Sequence, residues 1–243
     1  MQAGIWNAYL CKVTQKTMYL EIKQTKDGSN TLYVPELNEH YHSVHGAMQE
    51  SQHVFIKHGL EHVLETKKDI KILEVGFGTG LNAILTFPVA LAQKAFIQYD
   101  TLEKFPLSDD VVKQLNFEQF ILNPELLDYF YQMHACGWNL PCDIVPHFTL
   151  QKIKESLEEF ISPDAYYDVI YFDAFAPEKQ PELWTEAIFE KLFKATRPGG
   201  ILATYCAKGS FKRSLKAAGF EVEALPGPPG KREMTRGLKP VVE

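Results

Sequence analysis

The sequence predicts an α/β fold with a mostly parallel sheet, helices on both faces and a closing antiparallel hairpin. From Ile70 onward, short apolar runs alternate with helical stretches, the pattern of βαβ units whose strands pair in parallel. The first run leads into a glycine-rich turn, ILEVGFGTG (Ile72–Gly80). A later run, Tyr167–Phe172, delivers Asp173 to a strand end, with Phe175 and Pro177 behind it. Ligands of open α/β sheets sit at the carboxyl ends of the strands, so the glycine turn and Asp173 are expected at one site.

Residues 1–69 differ in character and are expected to form an N-terminal extension to a main domain over residues 70–243. Tyr19–Thr25 alternates apolar and polar residues and meets Asp27-Gly28 before Thr31–Val34, a strong hairpin signal. A polar stretch rich in His and Tyr follows and is expected to turn helical from about Ala47. In the main domain Ile70–Val75 reads as a strand, Leu81–Ala92 as a helix and Ala95–Leu102 as a strand. Phe105–Phe130 reads as largely helical, broken at Asn123-Pro124. Phe148–Ile153 reads as a third strand, Ser156–Phe160 as a short helix and Tyr167–Phe172 as a fourth strand. A helix over Glu182–Ala195 closes at Arg197-Pro198-Gly199-Gly200, and Ile201–Cys206 follows as a strand. Phe211–Ala218 is a helix stopped by Gly219. Phe220–Leu225 and Glu233–Lys239 pair around PGPPGK as the final hairpin.

Of the 243 residues, 45% are hydrophobic, enough for a sizeable core and against disorder. No apolar run approaches the ~18 residues of a membrane span, and the N-terminus lacks the signal-peptide pattern, so a cytoplasmic protein is expected. Cys11, Cys136, Cys142 and Cys206 form no CxxC and match zinc-ligand spacing poorly; no metal is expected, and free thiols in a reducing compartment are. Net charge is −6, which by itself argues against a nucleic-acid partner. Between Lys208 and Lys239, however, eight basic residues face three acidic ones, a local excess that attracts phosphates.

The spacing Glu74-x-Gly76-x-Gly78-x-Gly80 differs from the G-x-G-x-x-G of dinucleotide folds, because the third glycine arrives one residue early. A nicotinamide oxidoreductase fails on that spacing. The pattern resembles instead the S-adenosylmethionine loop of class I methyltransferases, with Rossmann-like sheets. Glu103, at the end of the second strand and 23 residues after Gly80, lies where such folds place a ribose-binding carboxylate. Its competing reading is a solvated residue near a helix N-terminus. Asp173–Pro177, DAFAP, loosely resembles the loop with which amino-group methyltransferases hold a target nitrogen. Asp173 could orient a neutral amine and accept its proton; the competing reading is a turn cap.

EVGFGTGLN, LEKFPL, FDAFAPEKQPELW, RPGGILATYCAKGSFKRSLKAAGF and GKREM together resemble the methyltransferase domain of the MnmC family and its stand-alone MnmD-type relatives. YHSVHGAMQESQHVFI extends the resemblance towards the N-terminus, to about residue 30. It implies methylation by S-adenosylmethionine of the exocyclic amine of 5-aminomethyl-(2-thio)uridine at the tRNA wobble position. Because the chain ends soon after this pattern, the family's FAD oxidase domain is expected to be absent. The resemblance implies that Glu74, Gly76, Phe77, Gly78, Gly80, Asn82 and Lys104 bind the cofactor, that Glu103 holds its ribose, and that Asp173, also beside the cofactor, and Phe175 face the acceptor. Glu155-Ser156 stands where the family carries Gly-Asp near the adenine. Lys179, Lys208, Lys231 and Arg232 fall near the tRNA. Tyr41, Ser43, Gly46 and Glu50 match a lid-like N-terminal pattern expected to close over the cofactor, with Tyr41, Ser43 and Glu50 towards the substrate. The alternative is a methyltransferase of a small-molecule or protein amine.

Overall fold

The computed structural model describes residues 19–24, 28, 30–41 and 46–241. Strands β1 (Glu21–Gln24), β2 (Asn30–Val34) and β3 (Glu39–His40) form a small antiparallel sheet. It is tied to the main body by Asn116, whose Oδ1 accepts Asn30 N at 2.7 Å and whose Nδ2 donates to Gly28 O at 3.0 Å. Next, α1 (Ala47–Ser51), a π-helical stretch Gln52–Leu60 and α2 (Glu61–Leu64) run on without a break. Helix formation starts where the sequence predicts. Val54, Phe55, Ile56 and Leu60 are buried, and the Phe55 ring packs 5.3 Å from that of Tyr171.

The main sheet contains β4 (Asp69–Val75), β5 (Phe96–Leu102), β6 (Pro141–Val145), β7 (Phe148–Ile153), β8 (Tyr167–Phe172), β9 (Thr196–Thr204), β10 (Glu221–Pro226) and β11 (Glu233–Leu238). Their spatial order is β10-β11-β9-β8-β4-β5-β7-β6. The inner five strands are parallel, and antiparallel pairs flank them at both edges. β4 pairs with β5 on one side and β8 on the other, so the order reverses there and opens a crevice at the strands' carboxyl ends.

Alternate residues of β4 and β8 feed opposite cores. Ile72, Val169 and Tyr171 pack with Ile84, Phe87 and Phe130, from α3 (Leu81–Ala92) and α5 (Pro124–Ala135). Leu73, Val75, Ile170 and Phe172 pack with Trp184, Phe189, Phe211 and Leu215. The last three of these lie on α6 (Glu186–Ala195) and α7 (Gly209–Ala217). Every residue of β8 is buried, as expected of a central parallel strand covered on both faces. At the other end of β8, Asp168 is buried and accepts from Lys67 Nζ (2.6 Å), Lys71 N (2.8 Å) and Arg197 NH1 (3.1 Å).

Several expectations are corrected. Between Leu102 and Asn123 the only helical pieces are α4 (Asp109–Val112) and a 3-10 turn at Phe117–Gln119. Pro106 biases Phe105 away from helix, and Asn116 is committed to the hairpin. α5 starts at Pro124, where the Asn123 side chain caps Glu125 N, and runs past Phe130 to Ala135. Ser156–Phe160 is a single turn in place of the expected short helix; Ser156 O accepts Phe160 N at 2.9 Å. β6 was not visible as a strand, because its PCDIV lacks clean alternation and its pairing with β7 is bulged. Cys136 and Cys142 are joined in a disulfide, against the expectation of free thiols; the turn between α5 and β6 brings their Cα atoms to 6.0 Å. Cys206 is a free, buried thiol.

Asp168 sits at the end of β8 remote from the crevice. Asp168→Ala should cost about 1–3 kcal/mol, since it leaves Lys71 N unpaired and two cations without their counter-charge. Denaturant unfolding will show the loss, while ligand binding at the crevice should persist in the folded fraction.

Candidate active site

A cavity of about 720 Å³ opens at the carboxyl ends of β4, β5 and β8. The Val75-Gly76-Phe77-Gly78 turn forms its floor, Leu102–Phe105 and Glu155–Glu158 one side, and Asp173–Ala176 with Lys179 the other. Tyr41 and Glu50 close it from the N-terminal elements.

Two of the turn's glycines meet the cavity wall. Gly76 has φ 93°, and a Cβ there would lie 3.1 Å from the Asp173 carbonyl oxygen. Gly78 has φ 49°, and its Cβ would come within 3.0 Å of the Tyr41 ring. Gly76 N and Phe77 N both donate to Leu102 O at 3.0 Å, which locks the turn to the end of β5. Gly80 is the N-cap of α3 and does not reach the cavity wall. Phe77 packs on His134, whose Nε2 pairs with Thr79 O at 3.0 Å.

Glu103 accepts Gly78 N at 3.0 Å through Oε2 and Phe105 N at 2.7 Å through Oε1. Burial nonetheless pushes its carboxyl up from the usual range. Asp100, also on β5, does not line the cavity; its Oδ2 accepts from Tyr167 OH at 2.9 Å.

Asp173 follows β8 directly. Asn82, in the first turn of α3, donates from Nδ2 to Asp173 Oδ2 at 2.9 Å. Burial pushes the Asp173 carboxyl up to about 7, and the Glu50 carboxylate adds to the rise, while Asn82 and Lys231 oppose it. The next two carbonyls are fixed by side chains. Tyr205 OH donates to Ala174 O at 2.9 Å and Trp184 Nε1 to Phe175 O at 2.8 Å. The Phe175 ring stands edge-on to Tyr41 at 5.3 Å. Glu74 lies beneath the floor, fully buried and outside the cavity wall.

The other expected residues divide between two neighbouring depressions. Lys104, Glu155, Ser156 and Lys179 line the main cavity. The Ser156 hydroxyl is occupied by Glu159, which it bonds at 3.1 Å. Lys208 and Arg232 line a shallower cleft that shares Ala176, Tyr205 and Lys231 with the main cavity. Lys231 pairs with Glu50 at 2.6 Å and lies over the Tyr205 ring, and Lys208 pairs with Glu178. Gly46 is the N-cap of α1, and Ser43 falls outside the described residues. Tyr205 is a contributor that the sequence reading lacks; it follows β9, another parallel strand end, which is the available signal.

Eight carboxylates and three lysines line the main cavity, so it favours a cation over a phosphate. Among the described residues no cluster of three or more His, Cys, Asp or Glu could hold a metal ion. Nor, among them, is any helix long and apolar enough to cross a membrane.

Residues 144–240 match a family described as S-adenosyl-L-methionine-dependent methyltransferase. The chain is 33% identical over 211 residues to the tRNA 5-methylaminomethyl-2-thiouridine biosynthesis bifunctional protein MnmC of Chromobacterium violaceum, covering 81% of this chain and 31% of that protein. It is likewise 33% identical over 235 residues to the protein of that name from Pseudoalteromonas atlantica, covering 90% and 33%. The chain thus spans about a third of the length of these curated relatives. Among solved structures, MNMC2 from Aquifex aeolicus superposes with a TM-score of 0.70 at 26% identity, over 94% of this chain and 74% of that one. Spermidine synthase from Thermotoga maritima shares the fold, with a TM-score of 0.51 at 13% identity over 91% and 74%. The glycine turn, the strand-end carboxylates and these likenesses agree: the chain belongs to the MnmC methyltransferase-domain family and is an S-adenosyl-L-methionine-dependent methyltransferase.

Proposed function

We propose that the chain methylates the exocyclic amine of 5-aminomethyl-(2-thio)uridine at the tRNA wobble position, in the cytoplasm. The observation that carries the reading is Asp173. It is an acid at a strand end, fixed through one oxygen by Asn82, beside two carbonyls whose positions are set by Tyr205 and Trp184. The names of the relatives supply the nucleoside, and the amine fits an acid-lined cavity.

The residues present fit S-adenosylmethionine. It is a cation without phosphate, and the floor is a glycine turn whose Cβ-free surface permits close approach. Gly76, Phe77 and Gly78 would cradle it. The Glu103 carboxylate, held by two backbone N–H groups, keeps lone pairs for ribose hydroxyls, and Glu155 and Ser156 would lie towards the adenine with Lys104 beside them. When bound, it supplies a methyl group activated for transfer to a neutral nitrogen.

This chain's part is then to position the amine and move a proton. Asp173 Oδ1 would accept the amine N–H, and the Ala174 or Phe175 carbonyl a second one, which leaves the lone pair free to face the methyl donor. Orientation of this kind is worth up to roughly 7–11 kcal/mol at the well-aligned limit. With its carboxyl pushed up to about 7, Asp173 is suited to take up the proton the nitrogen sheds near neutral pH. Phe175 would pack on the acceptor. Lys179 and Lys231 at the cavity, with Lys208 and Arg232 in the adjoining cleft, would meet tRNA phosphates. The acid lining would equally suit a small-molecule or protein amine, the second reading.

Labelled methyl should pass from S-adenosylmethionine to tRNA bearing the aminomethyl wobble base and not to an unmodified transcript. Equal labelling of both would sink the amine-acceptor reading, and transfer only to free polyamines or protein would favour the second. Asp173→Ala should cut turnover about 100-fold or more while calorimetry shows S-adenosylmethionine binding retained. Because the Asp173 base form is required, wild-type kcat should fall as pH drops through about 7. That limb should flatten in Asp173→Ala; an unchanged profile would reduce Asp173 to a structural cap.

A further inference from the structure

Two opposite charges pair on the wall of the main cavity. Glu50 reaches it from α1 and Lys231 from the turn between β10 and β11, and they meet at 2.6 Å. The turn is closed by Lys231 N, which donates to Pro228 O at 2.9 Å, and by Gly227 N, which donates to Arg232 O at 3.1 Å. One helical turn on from Glu50, His53 Nε2 pairs with Pro226 O at 2.8 Å, so the helical stretch and the β10–β11 hairpin are joined twice. Lys231 Nζ stands 4.1 Å from the centre of the Tyr205 ring, and Tyr205 OH donates to Ala174 O, the carbonyl next to Asp173. Contacts thus lead from Asp173 and Ala174 through Tyr205 to Lys231 and then to Glu50. Both charges are close enough to act on the Asp173 carboxyl: after burial and the Asn82 hydrogen bond, Glu50 raises it and Lys231 lowers it. A partly desolvated ion pair gains little net stability, so stability alone is a weak reason for one in a ligand cavity.

The chemistry of the proposed acceptor supplies a stronger reason. Its amine hangs from C5 of uracil. Next round the ring come O4, an acceptor, and N3–H, a donor. Lys231 offers donors and Glu50 lone pairs in the same order away from Asp173. With the amine at Asp173, the Lys231 ammonium would donate to O4 and Glu50 Oε1 would accept N3–H, while Oε2 keeps Lys231. Cytosine reverses both groups, with an amino group at C4 and a bare N3. It would set donor against donor and acceptor against acceptor. A wobble base in a single-stranded loop has its Watson–Crick edge free to be read in this way. An ammonium has three N–H donors, so Lys231 can serve Glu50 and O4 and still face the cleft of Lys208 and Arg232.

We propose that Glu50 and Lys231 together determine specificity for uracil over cytosine: the ammonium meets O4, and the carboxylate N3–H, of the base whose 5-aminomethyl group lies at Asp173. This rests on the proposed function, because it takes the aminomethyl base as the acceptor. A pair that only clamped α1 to the hairpin turn would be indifferent to the base.

The test measures methyl transfer to two anticodon stem-loops that differ only at the wobble base, 5-aminomethyluridine in one and 5-aminomethylcytidine in the other. Wild-type kcat/KM should favour the uridine about 100-fold or more. Exchanging the charges, Glu50→Lys with Lys231→Glu, keeps an ion pair but reverses donor and acceptor. The uridine-to-cytidine ratio should then fall at least about 100-fold, with S-adenosylmethionine binding by calorimetry reporting that the variant is folded. The ratio cancels any uniform loss from weaker phosphate contacts. An exchange variant that keeps the wild-type ratio overturns the inference, because the pair is then only a clamp. Where the exchange does not fold or transfers to neither base, Glu50→Gln decides. Its amide can offer N3 either an oxygen or an NH₂, so the ratio should drop at least about tenfold, and an unchanged ratio overturns the inference. Wild-type enzyme that methylates both bases alike also overturns it, yet leaves the proposed amine transfer standing. Transfer to neither by wild type overturns both.

Discussion

The burial of both faces of the β4–β8 pair is the constraint on which the site depends. Where two adjacent parallel strands are covered by helices above and below, a polar side chain along them has no access to water and must find a partner inside. At their carboxyl ends that demand is met in two ways. Backbone groups are satisfied by the turn that joins β4 to α3, through Leu102 O, and side chains by a compact set of hydroxyls, an amide and carboxyls. The same desolvation that makes these partners obligatory lifts the carboxyls of Glu74, Glu103 and Asp173.

Charge is distributed on two scales. The acidic cavity suits a cationic cosubstrate and a basic amine, whereas Lys208, Lys231 and Arg232 of the basic C-terminal segment line the adjoining cleft. Lys231 belongs to both regions, paired with Glu50 yet standing over Tyr205 at the junction of the two depressions. A single net charge of −6 conceals this arrangement.

The alternation of strands and helices was legible because a strand buried on both faces needs an unbroken apolar run, and YDVIYF is one. The caps were legible where local chemistry decides them, as with Asn123-Pro124 at α5 and Gly219 after α7. The helix expected from Phe105 gives way before Asn123 to short helical pieces and loop whose apolar residues pack against the core, while Asn116 is held by a hairpin more than eighty residues away. The Cys136–Cys142 pairing was not legible either, because six residues of separation say nothing of whether an intervening turn brings the Cα atoms together.

By itself the sequence determined the order of elements, the glycine turn and the presence of acids at three strand ends, since these depend on neighbours along the chain. The tertiary structure alone decided what each acid does there. Glu74 is one residue from the cavity-lining Val75 yet is sealed under the floor, whereas Asp173 faces the cavity, because the pleat of β4 and the end of β8 turn them to different environments. Asn82, Tyr205 and Trp184, distant in sequence, fix Asp173 and the carbonyls beside it only because β8 lies between β4 and β9.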